Sequence, residues 1–386
     1  MHSVIKNEIN FIENSLNFSI KEIPEKTRFW MVRTKKGYFY DEFIKHKFVA
    51  LGWNIITKDT DFSNQSIDTL KEQIKNLYGD DRPMGSINKC KRFIDEVQEG
   101  DYLLIPNNGS SNIAIAMAGE YYEDKEKSYE LEKLAIGKIE NHECQITEIS
   151  CPYRKRRKIT IIKIIETNIA SYNLRKAIST YHGISDFVLY AEDILNCIYD
   201  CYSYRGNVLF AVNITKPDPI RPREISQLMY GLTEFFCNIV EEEILSTTIN
   251  LNSPGSVRIK LKNGAKRLTK IKMPLVFAFI AVTGGSAFGF ELPGVIGTIK
   301  DARTLAIEVE KAEIELERDK VALDKEKLEN AKTYIELMDS MENQGIDKKK
   351  IAAQLNLLYD LSGTLQFEAQ NVVVDTEQNI EKSDEN

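Results

Sequence analysis

FVALGWNI, residues 48–55, is an apolar run interrupted by Gly52 and ending in Trp53, Asn54 and Ile55. Its length and lack of charge predict a buried strand, and a glycine inside it marks a place where backbone approaches something closely. Strand and helix signals alternate on both sides. Upstream, FWMVRT (29–34) reads as a strand, and KGYFYDEFIKH turns at Gly37 into a short helix. Downstream, SIDTLKEQIKNLY (66–78) has Ser66 as its expected cap, with Ile67, Leu70, Ile74 and Leu77 on one face. SINKCKRFIDEV is expected to begin a second helix at Ser86 and to end by Gly100. DYLLIPN (101–107) and NIAIAMAGEYY (112–122) read as strands around an Asn-Asn-Gly turn. After a polar insertion at 123–148, RKRRKITIIKII (154–165) reads as a basic edge leading into a strand. Helical stretches are expected around 173–179 and 185–202. The class is α+β, with 28–204 as its first domain and 1–27 as a helical arm in front of it.

A second, smaller α+β module is expected over 205–265. VLFAVNI (208–214) is its strand, ISQLMYGLTEFFCNIVEEE (225–243) its amphipathic helix, and STTINL with SVRIKL its hairpin around Asn-Ser-Pro-Gly. Beyond it the composition changes. Residues 271–299 are apolar, 300–345 form a highly charged helix, 346–369 a short helix, and 370–386 an acidic tail expected to be disordered. In the charged helix Ala302, Leu305, Val309, Ala312 and Leu316 keep a coiled-coil spacing, which resumes in a shifted register from Val321. That seam favours a homo-oligomer.

The chain has 386 residues and a net charge of -7, so the total gives no sign of nucleic-acid binding. The sign is uneven, however, with cations gathered at 154–158 and 258–272. The cysteines Cys90, Cys144, Cys151, Cys197, Cys201 and Cys237 form no CxxC pair and lack zinc spacing. They read as reduced thiols, Cys197 and Cys201 being four apart on a helix. MHSVIKNEIN has no apolar core of a secretory signal, which places the domains before residue 273 in the cytosol.

The run MPLVFAFIAVTGGSAFGF (273–290) has no ionisable group and follows a collar of Arg258, Lys260, Lys262, Lys266, Arg267, Lys270 and Lys272. A bilayer span needs about twenty apolar residues, and a cationic flank suits the cytoplasmic side. Membrane insertion is the preferred expectation. Phe277 and Phe279 would then lie in the span, Gly284 and Gly285 would permit a break or close contact, and Glu291 would sit at a pore or interface. A single span and a re-entrant hairpin both remain open, and so does a segment buried inside a soluble oligomer.

The order of FWMVRT, GYFYDEFIKHKFVALGW, SINKCKRFIDEVQEGDYLLIP and IAIAMAGEYY resembles the EVE-like domains of the PUA superfamily. The resemblance covers roughly 28–202. It implies an open β-barrel and a pocket with aromatic walls that holds a nucleotide or modified base, as in bacterial restriction and antiphage proteins. An unstacked base needs a flat aromatic partner and hydrogen bonds to its edge. Carried onto this chain, the site would draw first on Trp53 and Ser86, then on Arg33 and Tyr38, and on Trp30 last, with Lys89 and Arg92 available for phosphate. The polar insertion departs from a minimal domain and is placed to cover or alter the pocket. Both tryptophans also suit a core, which for Trp30 is the weightier reading, and for 154–158 a solvated edge outweighs the alternative of phosphate contact.

No Walker loop, GxSxG or nuclease carboxylate set is present in the sequence, and His46, His142 and His182 lack ligand spacing. No catalytic residue, metal or cofactor is therefore expected. The organisation resembles Hailong-type defence effectors, in which a DNA oligomer made by a partner nucleotidyltransferase holds a channel protein in check. That implies an inner-membrane protein with a cytosolic N-terminal sensor, whose nucleotide or short single-stranded DNA or RNA ligand gates an oligomeric pore. The alternative is a cytoplasmic, soluble reader of modified DNA that recruits a nuclease through its coiled coil.

Overall fold

Phe29–Val32 and Phe48–Leu51 are buried at every position, as unbroken apolar strands must be when both faces are covered. The computed structural model describes residues 20–181, 183–240, 245–250, 255–267 and 347–367, together with position 278. In chain order these form β1 (Lys21–Ile23), β2 (Phe29–Val32), α1 (Tyr40–Lys45), β3 (Phe48–Leu51), α2 (Asn64–Tyr78), α3 (Pro83–Lys91), β4 (Tyr102–Pro106), β5 (Asn112–Glu123), α4 (Tyr129–Glu140), β6 (Lys155–Glu166), α5 (Tyr172–Thr180), β7 (Ile184–Asp186) and α6 (Ala191–Leu195). There follow β8 (Cys201–Tyr204), β9 (Asn207–Ile214), α7 (Pro222–Cys237), β10 (Leu245–Asn250), β11 (Gly255–Leu261) and α8 (Lys348–Leu365). The class is α+β. Lys26–Ile198 is one compact unit, and Tyr199–Gln370 with the segment ending at Glu25 is another.

In the unit Lys26–Ile198 one six-stranded sheet has the order β3-β6-β5-β4-β2-β7. β2 and β4 run parallel and every other pair is antiparallel. The β5–β6 register shifts between Ile115 and Ala116 and again between Ala118 and Tyr121. Such irregularities bend and twist a strand, and the sheet curls into a half-barrel. Trp30, Phe43, Phe93, Ile105 and Ala116 lie in its core. α2 stops at Gly79, whose φ of 64° is the left-handed cap that glycine adopts without strain. α3 starts on Pro83, where a missing N–H costs nothing. It continues into one π-helical turn, Arg92–Glu96, closed by Val97 N–H on the Arg92 carbonyl at 3.0 Å.

The second unit carries a five-stranded sheet of order β1-β8-β9-β11-β10, with β1 and β8 parallel. α7 buries Leu228, Leu232, Phe235 and Phe236, and Phe210 of β9 lies 5.8 Å from Phe236 between ring centroids. α8 buries Ile351, Leu355, Leu358, Leu361 and Leu365. Gly231 lets α7 and α8 approach: a Cβ there would stand 3.3 Å from Leu357 and Leu358.

Several sequence expectations need correction. Lys21–Ile23, expected in a helical arm, is a strand paired with Tyr202–Tyr204. The expected helix over 185–202 is instead β7, α6 and β8, so Cys201 lies on a strand and shares no helix with Cys197. α2 begins at Asn64, and Ser66 Oγ donates to Asp61 at 2.6 Å without capping the helix. α3 begins three residues before Ser86. The run 154–158 is no edge, because β6 lies between β3 and β5.

Among the described residues no helix is long and apolar enough to cross a membrane. The expected membrane or pore residues Phe277, Phe279, Gly284, Gly285 and Glu291 lie outside the described residues. So do the rest of 271–299 apart from position 278, the charged helix expected over 300–345 and the tail 370–386.

Candidate functional site

The loop after β3 is built around two unusual backbone positions. A Cβ on Gly52 would lie 2.7 Å from Glu132 Oε1 and 3.0 Å from the Tyr153 ring, so only glycine fits. Trp53 then has φ of 59°, in the left-handed region. For a bulky residue that conformation costs about 1–2 kcal/mol and persists only where its surroundings enforce it.

Those surroundings are buried charges and an amide. Glu132, from α4, accepts the N–H of Trp53 at 2.6 Å and that of Asn54 at 2.7 Å, and Tyr78 Oη donates to it at 2.8 Å. Lys155, the first residue of β6, donates its ammonium to the carbonyls of Trp53 at 2.7 Å and Ile56 at 2.9 Å. Asn54 Nδ2 donates to the Pro152 carbonyl at 2.8 Å, and its Oδ1 accepts the Arg154 N–H at 2.9 Å. Glu132, Lys155 and Asn54 are all buried. Buried charges survive only when their hydrogen-bonding groups are matched, and here the matches are the loop's own backbone. Burial lowers the Lys155 pKa, against the pull of Cys90, Glu132 and Glu123. Burial, then the Glu132 charge, raises that of Tyr78, and burial pushes the Cys90 thiol up to about 11.

The Trp53 ring is half-buried and packs against the core of the half-barrel. Lys89, on α3, places Nζ 5.7 Å from its centroid. The Lys89 stem runs past Gly183, where a Cβ would lie 3.1 Å from Cδ and 3.2 Å from Cε. The N–H of Arg33 bonds the Gly183 carbonyl at 3.0 Å, which ties β2 to the same corner.

The other expected site residues are placed differently. Ser86 is buried one turn before Lys89, and its hydroxyl donates to Asp80, which also accepts the Arg82 N–H at 2.8 Å. It braces the start of α3. Trp30 is fully buried, with its indole N–H on Asp101 at 2.9 Å and the Arg28 guanidinium 4.2 Å from its ring. It is a core residue. Arg33 donates to the carbonyls of Ile178 and, at 3.2 Å, Tyr181, and to Ser110 Oγ at 3.0 Å. It thus satisfies the carbonyl end of α5, and burial lowers its pKa. Tyr38 is half-buried against the core, and Arg92 is half-buried at the π turn. The structure therefore brings Trp53 and Lys89 together, with Ser86 on the same helix, while Trp30 and Arg33 are committed to internal bonds.

The basic run is committed as well. Arg157 is buried on the carbonyls of Gly119 at 2.9 Å and Phe93 at 3.2 Å. Arg154 pairs with Glu123 at 2.9 Å, and Arg156 with Asp124 at 3.2 Å while stacking over Phe48 at 4.5 Å. Lys158 alone is an exposed pair, with Glu120 at 3.2 Å. The expected solvated edge is an internal scaffold. No sequence pattern marks Glu132, Asn54 or Gly183 as part of a site, and Lys155 enters the sequence reading only as a member of the basic run 154–158. Among the described residues no group of three or more His, Cys, Asp or Glu side chains could hold a metal ion.

Residues 30–180, which include Asn54, Glu132 and Lys155 but not Gly183, match a domain of unknown function (DUF8426). No curated protein and no solved structure matches the chain.

Proposed function

We propose that Lys26–Ile198 is a binding module for a phosphate-bearing base, either a nucleotide or a short single-stranded nucleic acid, with Trp53 as its stacking surface. One observation carries this reading: a half-exposed indole is held on a strained, internally bolted loop with an ammonium over its face. A flat aromatic surface suits a base, and a nearby cation suits its phosphate. Backbone strain of this kind gathers at ligand clamps. The motif order from FWMVRT to IAIAMAGEYY and the curled six-stranded sheet support a PUA-like, EVE-like open barrel as the finer fold.

The test is fluorescence anisotropy with labelled octamers of each DNA and RNA base. Base–aromatic stacking is worth about 1–3 kcal/mol, so Trp53→Ala should weaken binding about tenfold or more while Lys158→Ala leaves it unchanged. Absence of binding across DNA, RNA and free nucleotides, or equal binding by Trp53→Ala, overturns the reading.

For the whole chain the proposal is a non-enzymatic sensor-effector of antiphage defence. Copies would associate through 300–345, and 271–299 would enter the inner membrane. The ligand, made by a nucleotidyltransferase partner, would gate the pore by binding its open and closed states unequally. The cationic collar and the apolar run support this part from sequence. Membrane fractionation tests it, with recovery expected only after detergent. Complete recovery in the detergent-free supernatant favours the soluble reader of modified DNA instead.

A further inference from the structure

Among the described residues no hydrogen bond or ion pair engages the Lys89 ammonium, and it lies over the face of the tryptophan assigned to stacking. Its stem is confined on one side by Gly183, whose φ of 73° and missing Cβ leave the lysine its channel. We propose that Lys89 is a displaceable plug on Trp53, and that it makes the site select phosphate-bearing ligands over bare nucleosides. The inference rests on the base-binding reading of Trp53.

The physical argument is a competition. The ammonium is attracted to the indole face by the ring quadrupole. A base stacking on that face must move Nζ aside and forfeit the attraction. A phosphate gives the displaced ammonium a charge-assisted partner stronger than the one it lost. A nucleoside gives it only neutral acceptors, which are weaker partners than a phosphate. One side chain thus opposes the uncharged ligand and favours the charged one, and selectivity is the difference between the two effects.

The experiment titrates the four deoxynucleosides and their 5′-monophosphates against the full chain, its Lys89→Met and Lys89→Arg variants, and Trp53→Ala. Methionine keeps the stem and suits a helix while removing the charge. Lys89→Met should bind nucleosides about threefold more tightly, the cation–π contact being gone. It should bind monophosphates about tenfold more weakly. Lys89→Arg should keep the wild-type preference. If Lys89→Met weakens both ligand classes alike, the residue is only structural. If it changes neither while the wild type binds, the residue is a bystander. Either result overturns the plug and leaves the Trp53 reading standing. If none of the eight compounds binds the wild type or Lys89→Met, the plug falls, and the Trp53 reading falls with it only if the labelled DNA and RNA octamers also fail to bind.

Discussion

Glu132 Oε1 and the N–H of Trp53 meet at 2.6 Å across 79 residues of sequence. The acceptor comes from the polar insertion, on α4, and the donor from the loop that follows the buried strand β3. The insertion expected to cover or alter the site thus supplies the carboxylate that fixes it. With Lys155 on the carbonyl of the same residue, both ends of the Trp53 backbone are held by buried ionisable groups.

Replacing Glu132 should therefore loosen the loop. Glu132→Ala leaves two buried N–H groups and the Tyr78 hydroxyl without their acceptor, a loss of about 3–5 kcal/mol. Glu132→Gln keeps one acceptor oxygen but turns an amide N–H toward a donor, and should cost about 1–3 kcal/mol. Urea unfolding gives the magnitudes, and acrylamide quenching of tryptophan emission should rise in both variants, since Trp30 is sealed in the core. Unchanged midpoints and quenching would remove Glu132 as the loop's anchor.

A second expectation separates backbone strain from the ring. Trp53→Ala and Trp53→Gly both delete the indole, but only alanine keeps a Cβ at φ of 59°. Glycine enters that region freely, at some cost in unfolded-chain entropy. The glycine variant should be the more stable of the two by about 1 kcal/mol. Equal stability would mean that the loop relaxes out of the left-handed region once the ring is gone.

The strands and most helices were legible because their signals are local: FVALGWNI is apolar throughout its strand, and Gly79 and Pro83 punctuate the helices around it. Trp53 stands out as a candidate for the same reason, since it follows a glycine at a strand end. Glu132 was not, because its partners are backbone N–H groups, which every residue offers and no pattern marks. Lys155 and Arg157 were misread because their burial follows from β6 lying inside the sheet, and strand order is a long-range property. Ser86 looked like a helix start because its local sequence resembles a cap, whereas the proline three residues earlier sets the true beginning. Lys21–Ile23 carries too few residues to announce a strand, and its pairing with Tyr202–Tyr204 supplies what the segment lacks.

Alkaline pH should expose the cost of the buried chemistry beneath the Trp53 loop. The Cys90 thiol, whose Sγ lies 3.7 Å from the Gly52 carbonyl, is pushed up to about 11 by burial, with Lys155 acting against the shift. In the unfolded chain it ionises near its ordinary value of about 8.5. The folded state thus keeps a proton that the unfolded state releases, so the stability is fully present below about 8.5 and is lost as pH rises toward 11. Lys155 has the opposite sign: its lowered pKa means the unfolded chain binds a proton the folded one gives up, and stability rises with pH below about 10.4. Tyr78 and Tyr121, both raised chiefly by burial, reinforce the loss above pH 10. Comparing wild type with Cys90→Ala cancels the groups they share. The wild type should be the more stable at pH 7.5 through better packing, and its margin should shrink by about 1–2 kcal/mol by pH 10. Urea unfolding across that range measures the margin, and a difference independent of pH would show that Cys90 ionises alike in both states.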